Sequence, residues 1–398
     1  MKKRQSPVFR FTGYLRWVAL AVLLGSGPAL LNLLVDPYEL VFERNRSGRT
    51  AEIAEKAHYP LWKLGKYTPG AYDTVVLGDS RARALREKYW RSLKFSPTKN
   101  LAYGGGTIPE IYETFKLVRD DPALKNLVIG IQLRSFDEDH KQGMNRVPEA
   151  IKLINSPVKY VFNWSVAKTS WNVFAADQLP ILKLISRFEF GVTSAHATDV
   201  GRALSVGNSG MLVMRESRDL KSNSSANDLP KKFARQVKQN ARSDWRRFQV
   251  SKTYWSYIEH IGQWAKDNDK NLVFVIPPTI AEMQQTIIDY GLSNENGEMR
   301  ERLARWGVVL DFDYPDMLTK NLANFSDAYH FNAQVARQIV GEVVSQLTME
   351  KSVRLRVEKR RQSVRCGGVG NFVRKQEKGS EVWMLPGNNC RVWGRTES

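Results

Sequence analysis

The chain predicts an α/β domain built on a doubly wound parallel sheet, and three observations predict it. Short apolar, β-branched runs recur at 74–77, 126–131, 272–276 and 308–312, with helical patterns between them. The first run ends at Gly78-Asp79-Ser80, directly before an Ala/Leu/Arg-rich helix start. The glycine-rich stretch Asn100-Leu101-Ala102-Tyr103-Gly104-Gly105-Gly106-Thr107 reads as a second short strand running into a loop. Strands that are apolar along their whole length are covered on both faces, and strand–helix alternation at this spacing makes them parallel.

Residues 1–16 hold Lys2, Lys3, Arg4, Arg10 and Arg16 and no acidic residue. Residues 17–35 are apolar apart from Gly25, Ser26, Gly27, Pro28 and Asn32. About 20 apolar residues cross a bilayer core, and the basic flank stays cytoplasmic. This stretch is expected to be an uncleaved single-pass anchor. Cleavage as a signal peptide near Gly25–Ala29 is the alternative, opposed by the apolar run continuing to Leu34. The lipid bilayer is then a partner through 17–35, and everything after Asp36 lies outside the cytoplasm. In a bacterium that means the inner membrane, with the domain in the periplasm.

Residues 36–72 read as a polar, basic connector, helical around 51–58. The core domain is expected over 73–348. A helix over 81–92 follows the first strand, one over 109–119 follows the glycine loop, and the third strand runs into Gln132-Leu133-Arg134-Ser135-Phe136-Asp137. The strand–helix rhythm then breaks, which marks 146–250 as a helical insertion with apolar pieces at 151–162 and 179–188 and a polar stretch at 207–230. An insertion of this size is a mobile lid, a recognition surface or an edge cover. Its run of Lys231, Lys232, Arg235, Lys238, Arg242, Arg246 and Arg247 is expected to be a solvated helix face, with an anionic polysaccharide or lipid surface as the alternative. The rhythm returns with helix 253–267, strand 272–276, helix 280–290, strand 308–312 and helix 333–348.

The 398 residues carry a formal net charge of +19, which favours an anionic partner. The segment 349–398 is Arg/Lys-rich with little periodicity and is expected to be disordered. Both cysteines, Cys366 and Cys390, fall there and outside any Cys/His ligand spacing, so no metal or other cofactor is expected. Asp137-Glu138-Asp139-His140 reads as a solvated loop, since four consecutive side chains point in different directions. The triple glycine fits neither a dinucleotide fingerprint nor a phosphate loop, and nucleic-acid binding would rest on charge alone.

Ser80 follows the first strand at a helix start, where a hydroxyl is exposed and a backbone N–H favours developing negative charge. An N-capping serine is the plainer role for such a residue. Asp327 and His330 precede the last helix with two residues between them, so the carboxylate can hold one ring nitrogen while the other faces a hydroxyl. Taken together, these blocks resemble the SGNH (GDSL-type) hydrolase superfamily over about 73–140 and 250–348. The resemblance implies a flavodoxin-like three-layer α/β/α sandwich and ester chemistry through an acyl-serine. Ser80 would be nucleophile, with His330 and Asp327 completing the triad. The N–H groups of Ser80 and Gly105 would bind the oxyanion, with Gly104 or Gly106 as alternatives to Gly105.

The third block departs from the family pattern. Where Gly-x-Asn-Asp is usual, the chain has Gly130-Ile131-Gln132-Leu133, so Gln132 stands in for the oxyanion asparagine with one methylene more. Arg81 and Arg134 are further substrate-binding candidates. The overall layout is similar to membrane-anchored proteins that acetylate or deacetylate exported polysaccharides. It implies a polysaccharide or acylated carbohydrate as substrate and a multi-pass membrane protein as acyl donor. A polysaccharide-binding or scaffolding protein without activity is the competing expectation.

Overall fold

The computed structural model describes residues 26–178, except 43, 45–47, 96 and 141–145, and residues 229–348. It also describes Tyr14, Trp17 and four short strands between 362 and 394. The stretch 18–25 of the expected anchor, the helical piece at 179–188 and the polar stretch at 207–228 lie outside the described residues. Among the described residues no helix is long and apolar enough to cross a membrane, and 26–35 is helical.

In chain order the elements up to the insertion are α1 (Gly48–Ala57), α2 (Tyr59–Gly65), β1 (Thr74–Gly78), α3 (Ser80–Arg83), α4 (Glu87–Ser92), β2 (Thr98–Asn100), α5 (Ile108–Val118) and β3 (Asn126–Gly130). The insertion supplies α6 (Arg146–Ile154), α7 (Pro157–Val161), α8 (Trp164–Gln178) and α9 (Lys231–Trp245). Then come α10 (Lys252–Asp267), β4 (Asn271–Ile276), α11 (Ala281–Asp289), α12 (Ser293–Ala304), β5 (Val308–Asp311), α13 (Met317–Lys320) and α14 (Ala333–Thr348).

The five strands form one parallel sheet in the order β2-β1-β3-β4-β5 with helices around it. Every residue of β1 and β3 is buried, as their unbroken apolar runs require. In this order the chain reverses its direction of winding between β1 and β3. The crevice beyond the carboxyl ends of those two strands is where doubly wound sheets bind ligands. Gly78 and Gly130 sit side by side there. A Cβ on Gly78 would lie 2.6 Å from the Gly130 carbonyl oxygen and 2.7 Å from the Ala82 Cβ. Glycine at the strand end is therefore what lets α3 start so close to the sheet.

Two expected helices are each divided. The helix expected over 81–92 becomes α3 and α4, because the Asn100 side-chain amide donates to the carbonyls of Ala82 (2.8 Å) and Leu85 (2.9 Å). The Trp90 indole also donates to Leu85 O at 3.1 Å, so these carbonyls are satisfied without a continuous helix. The piece expected over 151–162 is divided between α6 and α7 at Ser156, which caps α7 through Lys159 N, with Pro157 at the first helical position. In the segment expected to be disordered, the described residues form an antiparallel sheet. Its strands are β6 (Gln362–Ser363), β7 (Val373–Glu377), β8 (Ser380–Met384) and β9 (Arg391–Gly394), in the order β6-β9-β8-β7.

Candidate active site

Ser80 is the first residue of α3, separated from the end of β1 by Asp79 alone. Asp79 caps that helix through Arg81 N (2.9 Å) and Ala82 N (3.5 Å), which leaves the serine hydroxyl free to point outward. Its Oγ lies 2.8 Å from His330 Nε2 across 250 residues of sequence. On the far side of the ring, His330 Nδ1 lies 2.8 and 3.0 Å from the two Asp327 carboxylate oxygens. An ionised carboxylate only accepts, so Nδ1 carries the proton and Nε2 faces the serine as an acceptor.

The His330 loop is folded to hold this arrangement. Phe325 and Phe331 pair as an antiparallel bridge, and Ser326 N donates to His330 O at 2.8 Å. Asp327 Oδ1 also accepts from the backbone N–H groups of Tyr329 and His330, both at 2.9 Å. Burial pushes the Asp327 carboxyl up, but the His330 ring and these N–H groups outweigh it and hold the group below the usual carboxylate range. The carboxylate therefore stays charged while it orients the ring.

The glycine loop supplies backbone donors. Gly105 has φ +63°, a left-handed conformation that glycine adopts without a steric cost. The Gly106 N–H is already committed to Tyr103 O at 3.2 Å. Among the described residues, the N–H groups of Ser80, Gly104 and Gly105 donate to no backbone carbonyl. Arg146 steadies this loop, donating to Gly104 O at 3.2 Å while paired with the buried Glu110 at 2.9 and 3.0 Å.

Three other expected residues sit differently. The Gln132 side-chain amide turns toward Asp79 Oδ2, at 3.4 Å. Arg81 is only 2% exposed, so it does not present a guanidinium to solvent. It pairs with Asp79 Oδ2 at 3.0 Å and lies 5.8 Å from the centre of the Tyr329 ring. Burial pushes Asp79 up, but Arg81 beside it holds the carboxyl below its ordinary value. Arg134 is one-third exposed and paired with Asp244 at 3.2 Å.

Asp244, Tyr329 and Gln236 are the residues that sequence patterns do not reveal. The Tyr329 hydroxyl donates to Asp244 Oδ2, and Asp244 Oδ1 faces Arg134, so a buried carboxylate joins the insertion to both loops of the site. Burial, reinforced by that carboxylate, drives the Tyr329 hydroxyl well above its ordinary value. Gln236 accepts from Ala328 N at 3.2 Å, and Lys232 donates to Ser326 O at 3.0 Å. The basic helix α9 is thus a clamp on the histidine loop along one face, where its lysine and arginine run alone suggests a solvated face or an anionic partner. No signal in the sequence ties Asp244 to the site, since it is one acidic residue in a basic helix.

Beside Gln132 and Tyr329 a narrow cleft opens, walled by Leu133, Trp245, Ile276 and Met283. Asp137 Oδ1 accepts from the N–H groups of Asp139 and Gln249, both at 3.3 Å, tying its loop to the strand-like bridge at Val250. Among the described residues no group of three or more His, Cys, Asp or Glu side chains is arranged to hold a metal ion. The arrangement of Ser80, His330 and Asp327 is chemically that of a hydroxyl nucleophile with an oriented base. No protein-family model matches the chain, and no curated protein matches it in sequence.

Proposed function

We propose that the chain is a membrane-anchored, extracytoplasmic SGNH-like serine esterase or O-acyltransferase of flavodoxin-like fold, acting on a carbohydrate polymer through an acyl-serine intermediate. The supporting observation is the continuous hydrogen-bond line from Ser80 through His330 to Asp327 at the switch point of the sheet. The carbohydrate substrate, the multi-pass acyl donor and the periplasmic site come from the likeness of the sequence layout to polysaccharide-modifying proteins.

Ser80 Oγ attacks the ester carbonyl carbon as its proton passes to His330 Nε2. Asp327 stabilises the imidazolium that forms. The N–H groups of Ser80 and Gly105 receive the carbonyl oxygen as it becomes negative. Collapse breaks the ester C–O bond, and His330 returns the proton to the departing alkoxide. A water, or a sugar hydroxyl, then gives its proton to His330 and attacks the acyl-serine, releasing acid or a new ester and restoring Ser80.

One observation favours a second function, a polysaccharide-binding or scaffolding protein without turnover. The Gln132 amide is engaged by Asp79, which leaves the oxyanion site with backbone donors alone. Labelling of the full-length chain with a fluorophosphonate probe separates the two. An adduct on the Ser80 peptide, absent in Ser80→Ala and His330→Ala, is the expected result for the enzyme. A folded chain that takes no label supports the scaffold.

A further inference from the structure

The end of the apolar N-terminal run is not free of the domain. Asn32 is 1% exposed, and its amide donates to Val161 O at 2.7 Å and Asn163 O at 3.0 Å while its carbonyl accepts from Ser170 Oγ at 2.9 Å. Four residues on, the buried Asp36 accepts from the N–H groups of Leu40, Val41 and Phe42 and from the Tyr160 hydroxyl at 2.7 Å. Tyr38 reaches Thr169 at 3.1 Å. These bonds seat the membrane-proximal helix on α7 and α8. Its opposite face is bare, with Leu34 70% exposed.

α7 and α8 beside it are bare in the same way. Phe162 is 71% exposed and Trp164 65%, with Val158 and Trp171 also exposed. Seven of the thirteen large apolar side chains exposed among the described residues belong to 30–42 or to α7–α8, so the clustering is not the usual scatter of single residues. Lys159 and Lys168 are exposed among them, and no acidic residue occurs from 157 to 176. Tryptophan and phenylalanine with lysines between them suit the headgroup layer, where rings sit at the boundary and ammonium groups meet phosphate.

We propose that the exposed face of α7–α8 is a second membrane contact, lying in the headgroup layer of an anionic phospholipid surface and holding the domain against the bilayer beside the anchor. The proposal rests on the anchor reading, because Asn32 and Asp36 at the end of the apolar run bond to α7 and α8.

The test uses the full-length chain with Cys366→Ser and Cys390→Ser, reconstituted in phosphatidylcholine/phosphatidylglycerol vesicles. Phe162→Cys or Trp164→Cys is labelled with an environment-sensitive fluorophore, with Met317→Cys in α13 as the exposed reference. The expected result is quenching at 162 and 164 by spin-labelled lipid and protection from aqueous iodide, with the reverse at 317. Iodide quenching at 162 and 164 equal to that at 317 overturns the proposal, as does shielding from both quenchers, which would place a protein on the face. An alkaline carbonate wash reports the anchor separately. A chain retained by the membrane with iodide-accessible labels keeps the anchor and loses the second contact. A released chain still quenched by lipid before the wash keeps the contact and loses the anchor.

Discussion

At the scale of single residues, the proposed acyl-serine chemistry rests on three side chains and two backbone N–H groups. Ser80→Ala or His330→Ala is expected to reduce kcat/KM for an activated acetyl ester by about 10⁴-fold or more, with far-UV circular dichroism unchanged. Gln132→Ala is expected to cost less than about tenfold, because its amide is spent on Asp79. An engaged oxyanion donor would cost ~10²–10³ in the same assay. Asp327 carries a pH signature. Its carboxyl is held below the ordinary value in the folded chain, so its stabilisation is complete above the unfolded-state value of about 4 and fades as pH falls through the lower folded value. Urea unfolding of wild type and Asp327→Asn should therefore differ at neutral pH and converge in acid. A difference that persists unchanged into acid would show that the carboxylate charge is not what stabilises the loop.

At the scale of elements, two features hold the line in place. Gly78→Ala would drive a Cβ into the Gly130 carbonyl at a backbone φ of +139°, and should cost about 3 kcal/mol or more in urea unfolding. Asp244→Asn removes the charge that joins Arg134 to Tyr329 and should cost about 1–3 kcal/mol while lowering kcat through the loosened histidine loop. A variant with wild-type stability and wild-type kcat would show that α9 does not clamp the site. The strand–turn–helix boundary at Ser80 and the Asp327–His330 pair are legible in the sequence because each is fixed locally, the second by a three-residue offset. Asp244 and the burial of Arg81 are not. Asp244 depends on where the insertion docks, and a basic helix looks the same in sequence whether it faces water or packs on a loop, while Arg81 is buried beside Tyr329 of the histidine loop. Gln132 follows the end of β3, and its orientation follows from the Asp79 carboxylate across the crevice, a contact between residues 53 apart.

For the molecule as a whole, the sheet order places the ends of β1, β2 and β3 side by side, so that Ser80, the glycine loop and Gln132 come from three neighbouring strands. The histidine loop arrives from beyond β5, and the insertion braces it. Asp36 and Tyr38, just after the apolar N-terminal run, fasten that run to α7 and α8. The most direct measurement of the central claim is acid-quench mass spectrometry of the full-length protein after brief exposure to an activated acetyl ester. One acetyl group on the Ser80 peptide, formed and lost with the kinetics of turnover and absent in His330→Ala, is the predicted result. Turnover of the ester with no adduct at Ser80, or with the adduct on another residue, would contradict an acyl-serine at the end of β1.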